Sequence, residues 1–138
     1  MYRKILVPVD LAHIGQLEKA LATATDLSKH YSIPICFVSV GAAAPGVVAH
    51  NPAEFKARLD EFTQTESESR GLVQVTSMAL TAHDPSVDLD KVLMKAIEES
   101  DADLVVMQSH IPGFPEYLFA SNAGYIAMHS KVTVLVVR

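Results

Sequence analysis

Apolar positions along the chain keep two rhythms in alternation. Short, nearly unbroken apolar runs occur at Ile5-Leu6-Val7-Pro8-Val9, Ile33-Pro34-Ile35-Cys36-Phe37-Val38, Leu104-Val105-Val106-Met107 and Val132-Thr133-Val134-Leu135-Val136-Val137. Between them, apolar residues return at three- and four-residue intervals: Leu17, Ala20, Leu21, Ala24 and Leu27; Phe55, Leu59 and Phe62; Val87, Leu89, Val92, Leu93, Ala96 and Ile97. The first rhythm belongs to strands buried on both faces, the second to helices with one apolar face. The pattern predicts strands over 3–10, 33–40, 72–81, 103–107 and 132–137, and helices over 16–31, 52–70, 85–100 and 123–130. The second helix sets its apolar residues in a charged background and is expected to face more solvent. Pro85 suits a first helical turn.

Strict alternation of strand and helix predicts an α/β fold: an open five-stranded parallel sheet, order 3-2-1-4-5, with helices on both faces. In that order the winding reverses between strands one and four. The loops leaving their carboxyl ends then face each other across a crevice, the place where such sheets hold ligands. The loops after Asp10 and after Met107 are the predicted walls, with Ser109 and Ser121 close by.

Composition narrows the picture. With 138 residues, 49% of them hydrophobic, the chain has the size and apolar content of one domain, residues 1–138. The formal charge of −5 comes without a Lys/Arg block, which argues against nucleic-acid and anionic-membrane partners. The opening run meets Pro8 and Asp10 too early for a signal peptide, and no apolar run approaches membrane-spanning length, so a cytoplasmic location is expected. Cys36 sits in an apolar run and reads as a small buried hydrophobe. The six histidines show no metal-ligand spacing, and no structural metal is predicted. Met78, Met94, Met107 and Met128 read as core filler. Ser109-His110 lacks a nucleophile elbow, and no Walker lysine or arginine finger is present, so the expectation is a non-enzyme with at most slow, incidental ATP hydrolysis.

Four stretches taken together resemble the universal stress protein family of adenosine-nucleotide-binding domains. They are Ile5-Leu6-Val7-Pro8-Val9-Asp10, Val38-Ser39-Val40, Ala102-Asp103-Leu104-Val105-Val106-Met107 before Ser109-His110, and Val134-Leu135-Val136-Val137-Arg138. The likeness spans the whole length. It implies a UspA-like, Rossmann-like domain that binds ATP, ADP or AMP as a regulatory ligand in stress response or signalling. The family's nucleotide motif is usually Gly-x2-Gly-x9-Gly followed by Ser or Thr. Here Gln108, Ile111 and Ala120 stand at the glycine positions and the loop is one residue shorter, while Ser109, His110 and Ser121 remain. A shorter-loop branch, opening Ser-His-x-Pro and closing Tyr-Leu-x-x-Ser-Asn-Ala, fits Ser109, His110, Pro112, Tyr117, Leu118, Ser121, Asn122 and Ala123 better.

By position, the resemblance implies that Pro8, Val9 and Asp10 line the ribose and first phosphate, and that Val38 and Val40 flank adenine. Met107, Gln108, Ser109, His110, Ala120, Ser121 and Asn122 complete the implied site. Glycine lets backbone N–H groups approach phosphates, and the start of the last helix adds donors of its own. Asp10 is open to two readings: a hydroxyl acceptor or Mg²⁺-side carboxylate, or a cap closing the first strand. Ser121 serves equally as helix cap and phosphate contact. Gln108 either fills the phosphate space or hydrogen-bonds the ligand. If Gln108 and Ile111 close the pocket, the chain is instead a nucleotide-free protein-interaction module.

The last strand would leave a bare sheet edge, which natural proteins seldom tolerate. Pairing with a second copy through Val132, Val134, Leu135 and Val136 gives an isologous homodimer, in line with the resemblance; a monomer guarded by Lys131 and Arg138 is the alternative. A phospho-acceptor receiver domain shares this style of sheet, but Asp10 lacks the acidic partner such a site needs. The 41–51 segment reads as either a lid or an idle connector.

Overall fold

The computed structural model describes residues 1–109 and 122–138. Strand β1 (Ile5–Pro8) leads through a 3-10 turn (Ile14–Gln16) to α1 (Glu18–Tyr31), followed by β2 (Ile35–Ala42), α2 (Pro52–Arg70) and β3 (Val75–Ala82). Then come α3 (Pro85–Ser100), β4 (Leu104–Gln108), α4 (Ala123–His129) and β5 (Thr133–Val137). The strands form one sheet in the order β3-β2-β1-β4-β5, each neighbouring pair parallel, as the alternation predicts.

Successive strand residues point to opposite faces, and each face has its own core. Ile5, Val7, Ile35, Phe37, Leu104 and Val106 pack with Ala20, Leu21 and Ala24 of α1 and Leu59 and Phe62 of α2. Leu6, Cys36, Val38, Val105 and Met107 pack with Leu89, Leu93, Ala96 and Ile97 of α3 and with Ala123 and Ile126 of α4. Because both faces are covered, the inner strands are unbroken apolar runs. Each fully buried side chain of this size contributes roughly 1.5–3 kcal/mol by leaving water. Cys36 is buried, and burial pushes its thiol above the ordinary range, as suits core material. Met128 departs from the sequence expectation: it projects from α4 into solvent.

Each strand begins later than the apolar pattern suggests, and for β2 (from Ile35) and β3 (from Val75) the reason is shared. Helix α1 ends at Ser32 in the left-handed region (φ 56°); Ile33 N–H bonds the Ser28 carbonyl at 3.0 Å, and Ser28 Oγ donates to the Ile33 carbonyl at 2.6 Å. Helix α2 ends the same way at Gly71 (φ 64°), with Leu72 N–H on the Ser67 carbonyl at 2.9 Å and Ser67 Oγ on the Leu72 carbonyl at 3.0 Å. Ile33 and Leu72 thus belong to helix ends, and Pro34 has no N–H to give a ladder. Helix α1 in turn starts at Glu18 because the chain first makes the 3-10 turn, with Leu17 N–H bonding the Ile14 carbonyl.

The amino edge of the sheet is tied by Asp103. Its carboxylate accepts from the backbone N–H of Arg3 at 2.9 Å and of Lys4 at 3.1 Å. Burial pushes this carboxyl up, but those two N–H groups and the Arg3 guanidinium outweigh it and hold it below the usual carboxylate range. At the carboxyl edge the strands separate. Strand β1 pairs with β2 from Ile5↔Ile35 to Pro8↔Val38, and Val9 N–H continues to the Val38 carbonyl at 2.8 Å. With β4 it pairs only at Ile5↔Leu104 and Leu6↔Val105. Past Leu6 the chain continues its pairing with β2 and no longer pairs with β4.

Candidate ligand cleft at the carboxyl edge

Asp10 sits where β1 leaves the sheet, 2% exposed. Its Oδ1 accepts the Ala12 N–H at 3.0 Å, its Oδ2 lies 2.9 Å from His13 Nδ1, and its carbonyl accepts the His13 N–H at 3.0 Å. The cap reading of Asp10 is therefore realised: the side chain closes the turn that starts the crossover. Asp10 also lines a cleft.

That cleft, of about 210 Å³, is walled by Asp10, Leu11 and Ala12 after β1 and by Ser39, Val40, Gly41 and Ala42 at the end of β2. The 44–49 loop covers it, pinned by Gly46 N–H on the Ala49 carbonyl at 2.9 Å, and Asn51, Phe55 and Pro85 complete the rim. Ser39 Oγ donates to the Val9 carbonyl at 2.7 Å, fixing β2 against the chain leaving β1. Asn51 is occupied in capping α2, its Oδ1 accepting the Glu54 N–H at 2.8 Å. Gly41 is required by close approach: a Cβ there would stand 3.0 Å from the Phe55 ring. Leu11, Ala12, Val47 and Val48 also border a wider cleft of about 500 Å³ that opens onto the charged outer face of α2 at Arg58 and Glu61. The smaller cleft is the candidate, because it lies at the sheet's carboxyl edge.

The sequence-predicted residues divide. Asp10 and Val40 line the cleft. Val38 lies in the core on the α3 side, and Val9 in the core on the opposite side. Pro8 and Met107 meet Leu93, Ile97 and Ile126 in tight apolar packing. Gln108 ends β4, 6% exposed, with its Oε1 buried and accepting no hydrogen bond. Ser109 N–H bonds the Val137 carbonyl, tying the start of the loop to β5, and the Asn122 carbonyl accepts the Ile126 N–H at the head of α4. His110, Ile111, Ala120 and Ser121 lie outside the described residues, as do Pro112, Tyr117 and Leu118. Sequence reasoning missed His13 as the partner of Asp10, although an Asp-x-x-His spacing at a strand exit was a usable signal. It also missed Phe55 and Pro85 as cleft walls, for which no local signal exists. The 41–51 segment, read from sequence as either lid or connector, contributes Gly41, Val47 and Val48 among others to the lining of the cleft.

Strand β5 forms the sheet edge, with β4 as its neighbour. Val132, Val134 and Val136 lean onto the α3/α4 core, while Leu135 is 39% exposed on the other side. Among the described residues, no helix is long and apolar enough to cross a membrane.

Comparisons with known proteins agree over the full length. The profile described as "Universal stress protein family" matches residues 1–138. Universal stress protein G of Shigella flexneri is 30% identical over 146 residues, spanning 100% of both chains. Two solved structures share the fold. A universal stress protein in complex with cAMP superposes with a TM-score of 0.70 at 17% identity, covering 99% of this chain and 97% of that one. The Archaeoglobus fulgidus universal stress protein in complex with dAMP does so with a TM-score of 0.66 at 17% identity, covering 99% and 98%.

Proposed function

This chain belongs to the universal stress protein family, and from that premise we propose that its carboxyl-edge cleft binds an adenosine nucleotide as a regulatory ligand. The observation that supports the reading is the position of the cleft at the sheet's carboxyl edge, between the chain leaving β1 and the end of β2, the edge at which open α/β sheets hold their ligands. The cAMP and dAMP complexes of proteins with this fold support it. In this reading the adenine lies against Val40 and the 44–49 loop, and a ribose hydroxyl approaches the Asp10 carboxylate at the cleft wall. Both Asp10 oxygens already face donors in its turn, and Asp10 is the one carboxylate among the described lining residues, so Mg²⁺ has a poor foothold there.

The role is that of a sensor. Nothing among the described lining residues supplies a cation to stabilise transferring phosphate, so the bound nucleotide is a signal and its hydrolysis incidental. A homodimer paired through β5, centred on Leu135 with Val132, Val134 and Val136 behind it, would carry the signal to a partner. A second reading, the nucleotide-free interaction module, draws on the cleft's volume. At about 210 Å³ it falls below the roughly 300–1,000 Å³ of ordinary ligand pockets.

The deciding experiment denatures purified protein, identifies any released nucleotide, and titrates the stripped protein with adenosine nucleotides by calorimetry. Released adenosine nucleotide or saturable binding supports the sensor. Empty protein that no adenosine nucleotide saturates rejects it in favour of the interaction module.

A further inference from the structure

The sheet has a second border, at β3. Ile35 N–H bonds the Gln74 carbonyl at 3.0 Å, and along a strand the backbone groups of successive residues turn to opposite sides. Gln74, Thr76, Met78 and Leu80 therefore turn toward β2, while the N–H and C=O groups of Val75, Ser77, Ala79 and Thr81 turn outward. Strand β3 ends the strand order, and among the described residues these outward groups have no backbone partner. The devices that blunt such an edge are missing: Val75–Ala82 carries no charge and no proline, and its pairing with β2 runs from Ile35↔Val75 to Ala42↔Ala82 without a bulge. A row of alternating donors and acceptors is complemented by another extended backbone.

The two faces of β3 say which side chains that backbone should carry. Val75 and Ala79 lean on the core beneath α2, and Ser77 Oγ donates to Asp60 Oδ1 at 2.7 Å. Between α2 and β3 lies a groove of about 320 Å³, lined by Asp60, Gln64 and Glu68 on the helix and by Thr76 and Ser77 on the strand, with no lysine or arginine among its described lining. Asp60 is paired with Lys56 at 2.6 Å, whereas Glu68 holds only the Gln64 amide, at 2.9 Å. On the opposite face Met78 and Leu80 stand half-buried against the α3 side of the core. A strand added to β3 continues this alternation, one row of side chains over the acidic groove and the other beside Met78 and Leu80.

We infer that β3 docks an extended segment of a partner protein by strand addition, with Lys or Arg at alternate positions over the groove and apolar residues between them. A second copy of this chain fits the edge less well. Two-fold pairing of β3 would set Asp60 and Glu68 against the same carboxylates of the other copy, and like charges brought together oppose association. With β5 serving the homodimer proposed above, a further two-fold at β3 would also add copies end to end rather than complete an assembly.

The test titrates the full chain with a short peptide alternating lysine and valine and with its glutamate–valine counterpart, read by calorimetry and by residue-resolved amide hydrogen exchange. The lysine peptide is expected to slow exchange at Ser77, Ala79 and Thr81, and to bind at least about tenfold tighter than the glutamate peptide. Thr81→Pro deletes one outward donor at an exposed position and leaves the ladder to β2 intact; it should weaken the lysine peptide about fivefold while melting with wild type. Glu68→Gln, a change at an exposed side chain that leaves the backbone alone, should weaken it about threefold and flatten its salt dependence, so a misfolded proline variant does not decide the matter. Absence of binding, or equal binding of the two peptides, overturns the inference. Protection confined to Thr133–Val137 overturns it in favour of the β5 edge, and concentration-dependent protection of Ser77, Ala79 and Thr81 without peptide overturns it in favour of a second copy.

Discussion

Replacing Gly41 by alanine tests how the end of β2 is built. A Cβ at this position would stand 3.0 Å from Cδ2 and Cγ of Phe55 and 3.1 Å from Cδ1, closer than carbon atoms pack without movement. Two opposing terms set the outcome. Alanine restricts the unfolded chain, which favours the folded state by roughly 0.4–1 kcal/mol where the backbone suits it. Overpacking a filled site costs roughly 1–3 kcal/mol. Phe55 is buried, at 9% exposure, and one atom of the incoming methyl meets three atoms of its ring, so the packing cost should win. The expected net loss is about 1 kcal/mol, or a fall in melting temperature of about 4 °C for a chain of this size. Urea denaturation of Gly41→Ala, Phe55→Leu and the double variant is the assay. If the clash is with the ring, the double variant is more stable than the two single losses predict, by about 1 kcal/mol. Gly41→Ala as stable as wild type, with a double variant that is merely additive, refutes the reasoning.

Two further expectations concern carboxylates. Asp103→Ala, which releases the N–H groups of Arg3 and Lys4, should cost about 1–2 kcal/mol at pH 7 by chemical denaturation. Because that carboxyl is held below its unfolded pKa of about 3.9, its contribution is whole above that pH and disappears as pH falls through the lower folded value; a wild-type advantage that persists undiminished well below pH ~3 would contradict this. Asp90 behaves in the opposite sense: burial pushes its carboxyl up despite His129, and its Oδ1 is buried without a partner. Asp90→Ala should therefore stabilise by about 1 kcal/mol at pH 7, with the gain shrinking as pH falls toward the unfolded value and both states of Asp90 become protonated; unchanged stability would mean that the oxygen is satisfied.

The order of the sheet was legible because its information is redundant. Each strand is an apolar run bounded by polar turns, and each helix carries a stripe such as Leu89, Leu93, Ala96 and Ile97 that has no other use. Strand starts were less legible. Nothing in the apolarity of Ile33 or Leu72 separates a strand residue from one that caps a helix; the difference lies in a serine five residues earlier and a left-handed residue between them. The candidate site was legible by place and only partly by residue. The carboxyl-edge rule leads to Asp10 and Val40, while Phe55 and Pro85 reach the cleft from α2 and α3 through tertiary packing alone. Val38 shows the limit of transfer by position: it points to the same face and into the same core as Val40, but only Val40, two residues nearer the carboxyl edge, reaches the cleft. Met128 was misplaced because a short helix at the sheet's border keeps one face wet whatever its sequence.

The end of β1–β4 pairing after Leu6 and Val105 has a local cause besides the chain's path: the N–H groups of Ile5 and Val9 face β2, so the next donor toward β4 falls at Pro8, which has none to give. Side chains at this carboxyl edge then decide what it admits. Variants that abandon one ligand would keep the cleft, and regaining a ligand, or acquiring a different one, would then be a matter of editing a few wall residues such as Val40 and Gly41 rather than rebuilding a fold. The same independence makes the crevice a practical place to engineer new specificity, since the ties that hold the sheet together at Asp103, Ser28 and Ser67 lie at its other end.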